Sequence, residues 1–544
     1  VNTDRTTTRP DAVRTADRGA PAAGPATVHT DPGGIHQALA RLDRPCYIVD
    51  TGQGVGIANS RPEAAGRVVA ATGPLTPDAL GSSAFRARHG VRYAYMGGAM
   101  AGGIASEELV IALARSGALA SFGAAGLLPE RIETALTRFA AEIPGLPYAV
   151  NLIHSPSEDA LERDCVELLL KHGVRCVEAS AFMDLTPHVV RYRAAGLRRG
   201  ADGRIRTDNR LIAKVSRAEV AERFMRPAPD SLLDDLASRG LITAEQAELA
   251  RHVPMADDIT AEADSGGHTD RRPLTALFPT LLRLREAIGR ELRYERPIGV
   301  GAAGGIGTPR AAAAAFAMGA DYIVVGSVHQ ACLESGTSDA ARSLLAGASS
   351  ADCEMAPAAD MFELGVELQV LKKGTFFPMR AKKLYELYQA YDGIEALPAA
   401  ELRNLEQQIF RRSVDEVWAE VERYFTRRDP EQLRRAASAP RRRMALLFRW
   451  YLGMASRWAV TGDADRRADY QLWCGPAMGA FNEWVGGTYL AAPENRRAAD
   501  VAHHLMRGAA FTSRVHQFAL GGVRLPAAAT EYTPAPLAAP EAAR

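Results

Sequence analysis

The string Ala263-Asp-Ser-Gly-Gly-His268-Thr-Asp270 carries the clearest chemical signal in the chain. It follows the apolar run 259–263, which reads as a strand. Gly266 and Gly267 would let backbone come close to a flat ligand without side-chain interference. His268 then projects into the same space. An imidazole with an ordinary pKa of about 6.5 suits proton delivery at neutral pH. The plainer alternative is a loop histidine held by a structural hydrogen bond. The Gly-Gly lead-in at a strand end tips the balance toward chemistry.

A second string runs Pro297-Ile-Gly-Val-Gly-Ala-Ala303-Gly-Gly-Ile-Gly-Thr-Pro-Arg310 into an Ala-rich helix pattern. Its Gly299-x-Gly301-x-x-Gly304 spacing, with Asp321 further on, imitates a dinucleotide fingerprint. That fingerprint normally opens its domain, whereas this one comes after six other strand candidates. Ala303, Gly304 and Gly305 instead suit a backbone-amide cradle for one phosphate at a helix N-terminus, with Pro309 in the first turn. A third string, Tyr322-Ile-Val-Val-Gly326-Ser327, ends the last strand candidate. Barrel phosphate sites are built from the loops after strands seven and eight, so the two strings reinforce each other. One phosphate suits FMN, and the same loops would also fit a phosphorylated sugar. The bland reading makes both strings tight turns that need glycine for sterics.

Small residues at Gly97, Gly98 and Ala99, followed by Met100, would let a flat ring lie against the end of the first strand. Asn151 ends the third strand candidate, and Lys214 sits inside the fifth. A lysine within an apolar strand needs a partner. That partner is either the negative charge of a reduced flavin or a carboxylate, Glu178 or Glu262.

These residues need a scaffold that brings distant strand ends together. Short apolar runs at 93–97, 118–123, 148–153, 175–179, 211–215, 259–263, 297–302 and 322–325 alternate with helical stretches. Eight such units predict an α/β chain with a (β/α)8 TIM barrel, whose active-site loops follow the strands. The stretch 189–197 reads as an optional extra strand. A helical insertion is expected at 217–255, where Thr243-Ala-Glu-Gln246 is a capping-box pattern. It reads equally as a lid or as a plain excursion. The remaining segmentation is a loose tail at 1–33, a small N-terminal domain at 34–90, the barrel at 91–330 and a flanking segment at 331–400. A mostly helical C-terminal domain at 401–524 and a loose tail at 525–544 complete it.

Bulk composition sets outer limits. With 47% hydrophobic and 24% charged residues, the chain reads as an ordinary globular protein. A net charge of +1 over 544 residues gives no reason to expect nucleic acid. Six scattered cysteines form no Cys-x-x-Cys pair, which argues for free thiols in a reducing cytoplasm and against a metal site. No apolar run is long enough to span a membrane, and 444–458 reads as a buried helix. The arginine-rich stretch 427–457 is either a solvated face or a dock for an acidic carrier protein.

Taken together, the motifs resemble a known family. The strings are Met-Gly-Gly-Ala-Met from Met96, Asn151, Ala-Lys-Val-Ser from Ala213, the Gly-Gly-His string, Ala-Ala-Gly-Gly-Ile-Gly-Thr-Pro from Ala302 and Val-Gly-Ser from Val325. They resemble the trans-acting enoyl reductases of polyunsaturated fatty acid and polyketide synthases, the PfaD family. Nitronate monooxygenases and FMN-type enoyl-acyl-carrier reductases are wider kin. Strings from Met255, Ala356 and Gly374, and the region around Trp450, extend the narrower resemblance beyond the barrel.

The resemblance implies His268 as the catalytic histidine. It implies a flavin lined by Gly97, Gly98, Ala99, Asn151, Lys214, Gly266 and Gly267, with phosphate held by Ala303, Gly304, Gly305, Gly326 and Ser327. It implies hydride passing from NADPH or NADH through FMN to an enoyl thioester presented by an acyl carrier protein. The helical C-terminal region leaves a homodimer open. Two other readings compete: a nitronate monooxygenase-like flavin oxygenase, and a non-catalytic docking subunit of a synthase.

Overall fold

The computed structural model describes residues 27–63, 66–154 and 159–537. They fall into two compact units. The first ends at Leu75 and is completed by Arg514–Glu531 from the far end of the chain. It contains the helix Pro32–Ala40 and an antiparallel sheet of β1 (Cys46–Asp50), β2 (Val55–Ala58) and β3 (Arg67–Thr72), with β1 in the middle. Arg514 is fully buried in this unit. Its guanidinium donates to the carbonyls of Leu39, Arg41, Leu42, Arg44 and Gly73.

This differs from the expected domain at 34–90. Residues 76–90 belong to the second unit, and a segment more than 400 positions away closes the first. The expected tails also shrink. Residues 1–26 and 538–544 lie outside the described residues. Asp31 caps the helix that starts at Pro32, so that helix begins inside the expected N-terminal tail, and Ala529 is buried inside the expected C-terminal one.

In the second unit, eight parallel strands close into a barrel, as the apolar runs predict. They are β4 (Tyr95–Gly97), β5 (Leu119–Phe122), β6 (Ala149–Ile153), β7 (Cys176–Ser180), β10 (Arg210–Val215), β11 (Asp258–Glu262), β13 (Gly299–Ala303) and β14 (Ile323–Val325). β14 pairs with β4 to close the ring. Met96, Leu119, Ile212, Tyr322 and Val324 fill its core. Below the strands' N-terminal ends, the helix Ser83–His89 inserts a charged plug. Arg88 and His89 both bind Asp258, with His89 Nε2 2.8 Å from its Oδ2.

The optional strand at 189–197 is instead a helix, Pro187–Ala195, begun by Thr186 as N-cap and Pro187. A two-stranded ribbon follows it, β8 (Leu197–Arg199) with β9 (Ile205–Thr207). The insertion forms three helices, Ala218–Met225, Asp230–Ser238 and Ala244–Ala250. The Thr243–Gln246 capping box is made in both directions.

The segment at 331–400 does more than flank the barrel. β15 (Cys353–Pro357) and β16 (Glu367–Leu371) form an antiparallel hairpin, and β12 (Gly267–His268) adds to it as a third strand. The region beyond is helical, and Pro440–Thr461 buries Met444, Leu447, Phe448, Tyr451 and Leu452. No helix among the described residues is long and apolar enough to cross a membrane.

Candidate active site

The C-terminal ends of the barrel strands open into a cavity of about 550 Å³. Gly98, Ala99, Asn151, Lys214, Gly266, Gly267, His268, Ala303, Gly304, Gly305, Gly326 and Ser327 all line it. Gly97 does not. It lies within β4, where an added Cβ would fall 2.5 Å from Leu113 Cδ1, so its small size serves helix packing rather than the cavity.

The glycines divide by task. At Gly266 an added Cβ would meet the backbone nitrogen of Cys474 at 2.8 Å. Its missing side chain thus admits another stretch of chain, a role that the ligand-approach reading did not foresee. Gly304 and Gly305 have φ of +85° and +72°. A Cβ at Gly304 would strike the carbonyl carbon of Ala263 at 2.6 Å, whereas one at Gly305 would point into open space. Gly305 therefore presents bare backbone just before the helix Pro309–Ala317, as an anion cradle requires.

Lys214 pairs with Glu262, its Nζ 2.8 Å from Oε1, which selects one of the two carboxylate partners foreseen. Burial works against the ammonium, but Glu262 and then Glu178 outweigh it and hold the lysine's pKa above its usual value. Glu178 is fully buried. Its Oε2 accepts the Ala99 N–H at 3.0 Å, while Oε1 has no hydrogen-bond partner. Burial pushes this carboxyl up, against the pull of Lys214. Asn151 spends its amide on the wall, donating to Glu178 O and Ser180 Oγ at 3.0 Å each.

Gln330 also lines the cavity and is 2% exposed, yet its Nε2 has no partner. Unpaired buried polar atoms are costly. Two of them in the wall of one cavity, beside an open glycine cradle and a charged lysine, fit a polar ligand carrying a phosphate.

His268 lines the same cavity. Its Nε2 lies 3.1 Å from Asp360 Oδ1. Burial opposes the imidazolium, but the Asp360 hydrogen bond and charge, then Glu262, raise the histidine's pKa overall. Asp360, Met361, Glu367 and Trp473 come from outside the barrel, and the last three line the cavity. Single-strand patterning gives no signal for them, since their register with the Gly-Gly-His string is set by long-range pairing.

Comparison with known proteins fits this geometry. A family model described as nitronate monooxygenase matches residues 87–375, more than half of the chain. The N-terminal domain model of fatty acid synthase subunit PfaD matches 24–67. The inserted helical domain of [acyl-carrier-protein] S-malonyltransferase matches 391–470. The chain is 49% identical to a polyunsaturated fatty acid synthase subunit of Thraustochytrium over 93% of its own length and 34% of that protein. It is 45% identical to polyketide biosynthesis protein PksE of Bacillus subtilis over 79% of its length and 56% of that protein. It thus spans between about a third and just over half of these curated relatives. Among solved structures, the enoyl reductase domain of MlnA, from the macrolactin biosynthesis cluster of Bacillus amyloliquefaciens, matches with a TM-score of 0.78 and 38% identity. That match covers 81% of this chain and 99% of the domain. With a similarity this extensive, built on a barrel of the nitronate monooxygenase type, the chain belongs to the PfaD family.

Proposed function

We propose that the chain is an FMN-dependent enoyl reductase. It would act in trans on α,β-unsaturated thioesters held by an acyl carrier protein of a polyketide or fatty acid synthase, with NADPH or NADH as hydride donor. One observation carries the reading: a single cavity brings together an open glycine cradle, a charged lysine, two unpaired buried polar groups and His268. The 38% identity to the MlnA enoyl reductase domain supports it. So does the kinship with synthase subunits. The six cysteines, none in a disulfide, suit a reducing cytoplasm.

Bound FMN supplies hydride transfer, chemistry that no side chain here can perform. The protein's part is to bind, orient and move protons. The Gly304–Gly305 backbone and the Ser327 hydroxyl would take the phosphate. Lys214 would offset negative charge on the ring, and Gln330 and Glu178 offer a buried donor and a buried carboxyl oxygen to the cofactor. Trp473 and Met361, which also line the cavity, would help to exclude water once the cofactor is bound. His268, or a water it orients, would deliver a proton to the substrate's α-carbon while the β-carbon gains hydride, so the double bond takes up two hydrogens in all.

The test is a visible spectrum of the purified protein, followed without air by NADPH and then by a crotonyl carrier thioester. Flavin bleaching by the first and recovery by the second are expected. A colourless protein that still binds its synthase would favour a docking role. Rapid nitronate-dependent oxygen uptake without nucleotide would favour an oxygenase.

A further inference from the structure

The histidine of the proposed reaction is held from outside the barrel. Its two-residue strand β12 pairs with β16, setting Gly267 opposite Gln369 and His268 opposite Leu368. Gln369 reinforces the pairing from its side chain. Its Nε2 donates to Asp264 Oδ1 at 2.9 Å and to Ser265 O at 2.8 Å, clamping the start of the same loop. Asp360 lies in the connection between β15 and β16, so histidine and carboxylate are borne on one small sheet. The carboxylate is itself fixed, because its Oδ1 accepts the Met361 backbone N–H at 3.1 Å.

We propose that Asp360 is a positioning residue for His268: its carboxylate binds the imidazole at Nε2 and so dedicates the other ring nitrogen, Nδ1, to the substrate. Among the described residues no side chain or carbonyl bonds Nδ1, and His268 lines the cavity. The assignment rests on the reductase reading above, which it deepens.

An imidazolium held this way can release its Nδ1 proton while its Nε2–H remains donated to Asp360. The histidine then leaves the step neutral, with its orientation unchanged, and regains a proton from solvent. The charges around it favour the protonated form. Asp360 and Glu262 support it, and Lys214 opposes it. Asp270 is engaged by Arg217 and Ser216, and Glu367 on β16 adds a further carboxylate to the cavity wall. Asp360 in turn is held below the ordinary carboxylate range: burial works to raise it, but His268 more than reverses that.

The test uses the full chain with Asp360→Asn and Asp360→Glu. Histidine-selective isotope labelling follows the His268 ring by NMR through a pH titration, with His268→Ala identifying its signal. The parent ring is expected to titrate above the ordinary histidine value. In D360N it should titrate lower, and in D360E it should return toward the parent. Enoyl reduction should show the same order. In D360N the alkaline limb of kcat should move to lower pH, and kcat above neutrality should fall about tenfold or more, with little change in KM for the carrier thioester.

An unchanged His268 titration in D360N overturns the proposal, as does a loss equal at every pH. Should D360N fail to fold, D360E still decides. A glutamate variant whose histidine titrates well below the parent's, or which has lost the alkaline activity, denies the carboxylate its role. A parent that reduces no enoyl thioester, yet shows the expected ring titrations, would sink the reductase reading and leave the pair intact.

Discussion

Lys214 Nζ lies 2.8 Å from Glu262 Oε1, joining two adjacent barrel strands in the cavity wall. The fully buried Glu178 faces the same ammonium. Lys214→Met would leave two carboxylates without their cation in a low-dielectric wall. Breaking one side of a fully buried pair costs about 3 kcal/mol or more, and because the Lys214 and Glu262 side chains are 20% and 17% exposed the loss here is smaller. K214M is therefore expected to unfold at lower denaturant and to lose flavin on gel filtration. If K214M retains a full complement of flavin with an unaltered visible spectrum, the lysine has no part in holding the ring.

The two cradle glycines should respond differently to alanine. Both have left-handed φ, which costs an L-residue roughly 1–2 kcal/mol. Gly304 adds a collision with Ala263 and Asp264 backbone, whereas Gly305 meets nothing. G304A should lower the melting temperature more than G305A. G305A should weaken FMN binding out of proportion to its small effect on stability, because its methyl group enters the space offered to the phosphate. Equal flavin affinity in G305A and the parent would place the phosphate elsewhere.

These two sites are legible in the sequence itself, for a physical reason. Each barrel strand is a buried apolar run, and the chemical residues stand at its end or, as Asn151 and Lys214 do, interrupt it, so local pattern and three-dimensional position coincide. Lys214 betrays itself as a charge inside such a run. His268 is equally visible, but its partner is not: Asp360 is 92 positions away. Strand β12 has two residues, too few to show any period, and its pairing with β16 comes from tertiary contacts alone. Gly97 misleads because a glycine demanded by a neighbouring helix looks, in sequence, like one demanded by a ligand. The insertion helices show because a capping box is a local signal. The first unit's boundary is hidden because Arg514 and the carbonyls it binds are up to 475 positions apart.

Arg514 yields a prediction of its own. Five backbone carbonyls converge on its guanidinium, and no carboxylate is among the acceptors. Burial lowers its pKa, and Cys46 and Asp43 only partly oppose this. A lysine has three donors and no planar fork, so Arg514→Lys must abandon several of these carbonyls. Each buried acceptor left bare costs about 1–3 kcal/mol. Hydrogen exchange of R514K should show faster exchange across 46–72, with the barrel strands protected as before. Unchanged protection of β1 and β3 would mean that the sheet stands without this clamp.

His329 sets an acid limit on the barrel unit. It is fully buried, with Nε2 2.6 Å from the Tyr95 hydroxyl, and burial depresses its pKa to about 3. Its unfolded value is about 6.5. Between these two values the unfolded chain binds a proton that the folded chain refuses. Stability from this group is thus complete above about pH 6.5 and is lost as pH falls toward 3, by up to about 1.4 kcal/mol per pH unit. His504, lowered to about 4 by burial, adds to the same slope over a narrower window. His329→Gln removes the titration while offering Tyr95 an amide group in place of the ring. The variant should be less stable than the parent at pH 7 because the ring no longer fills its site, yet lose stability more slowly from pH 6.5 to 4. Denaturant midpoints at several pH values measure both slopes. Parallel slopes in H329Q and the parent would show that His329 is not the group that titrates.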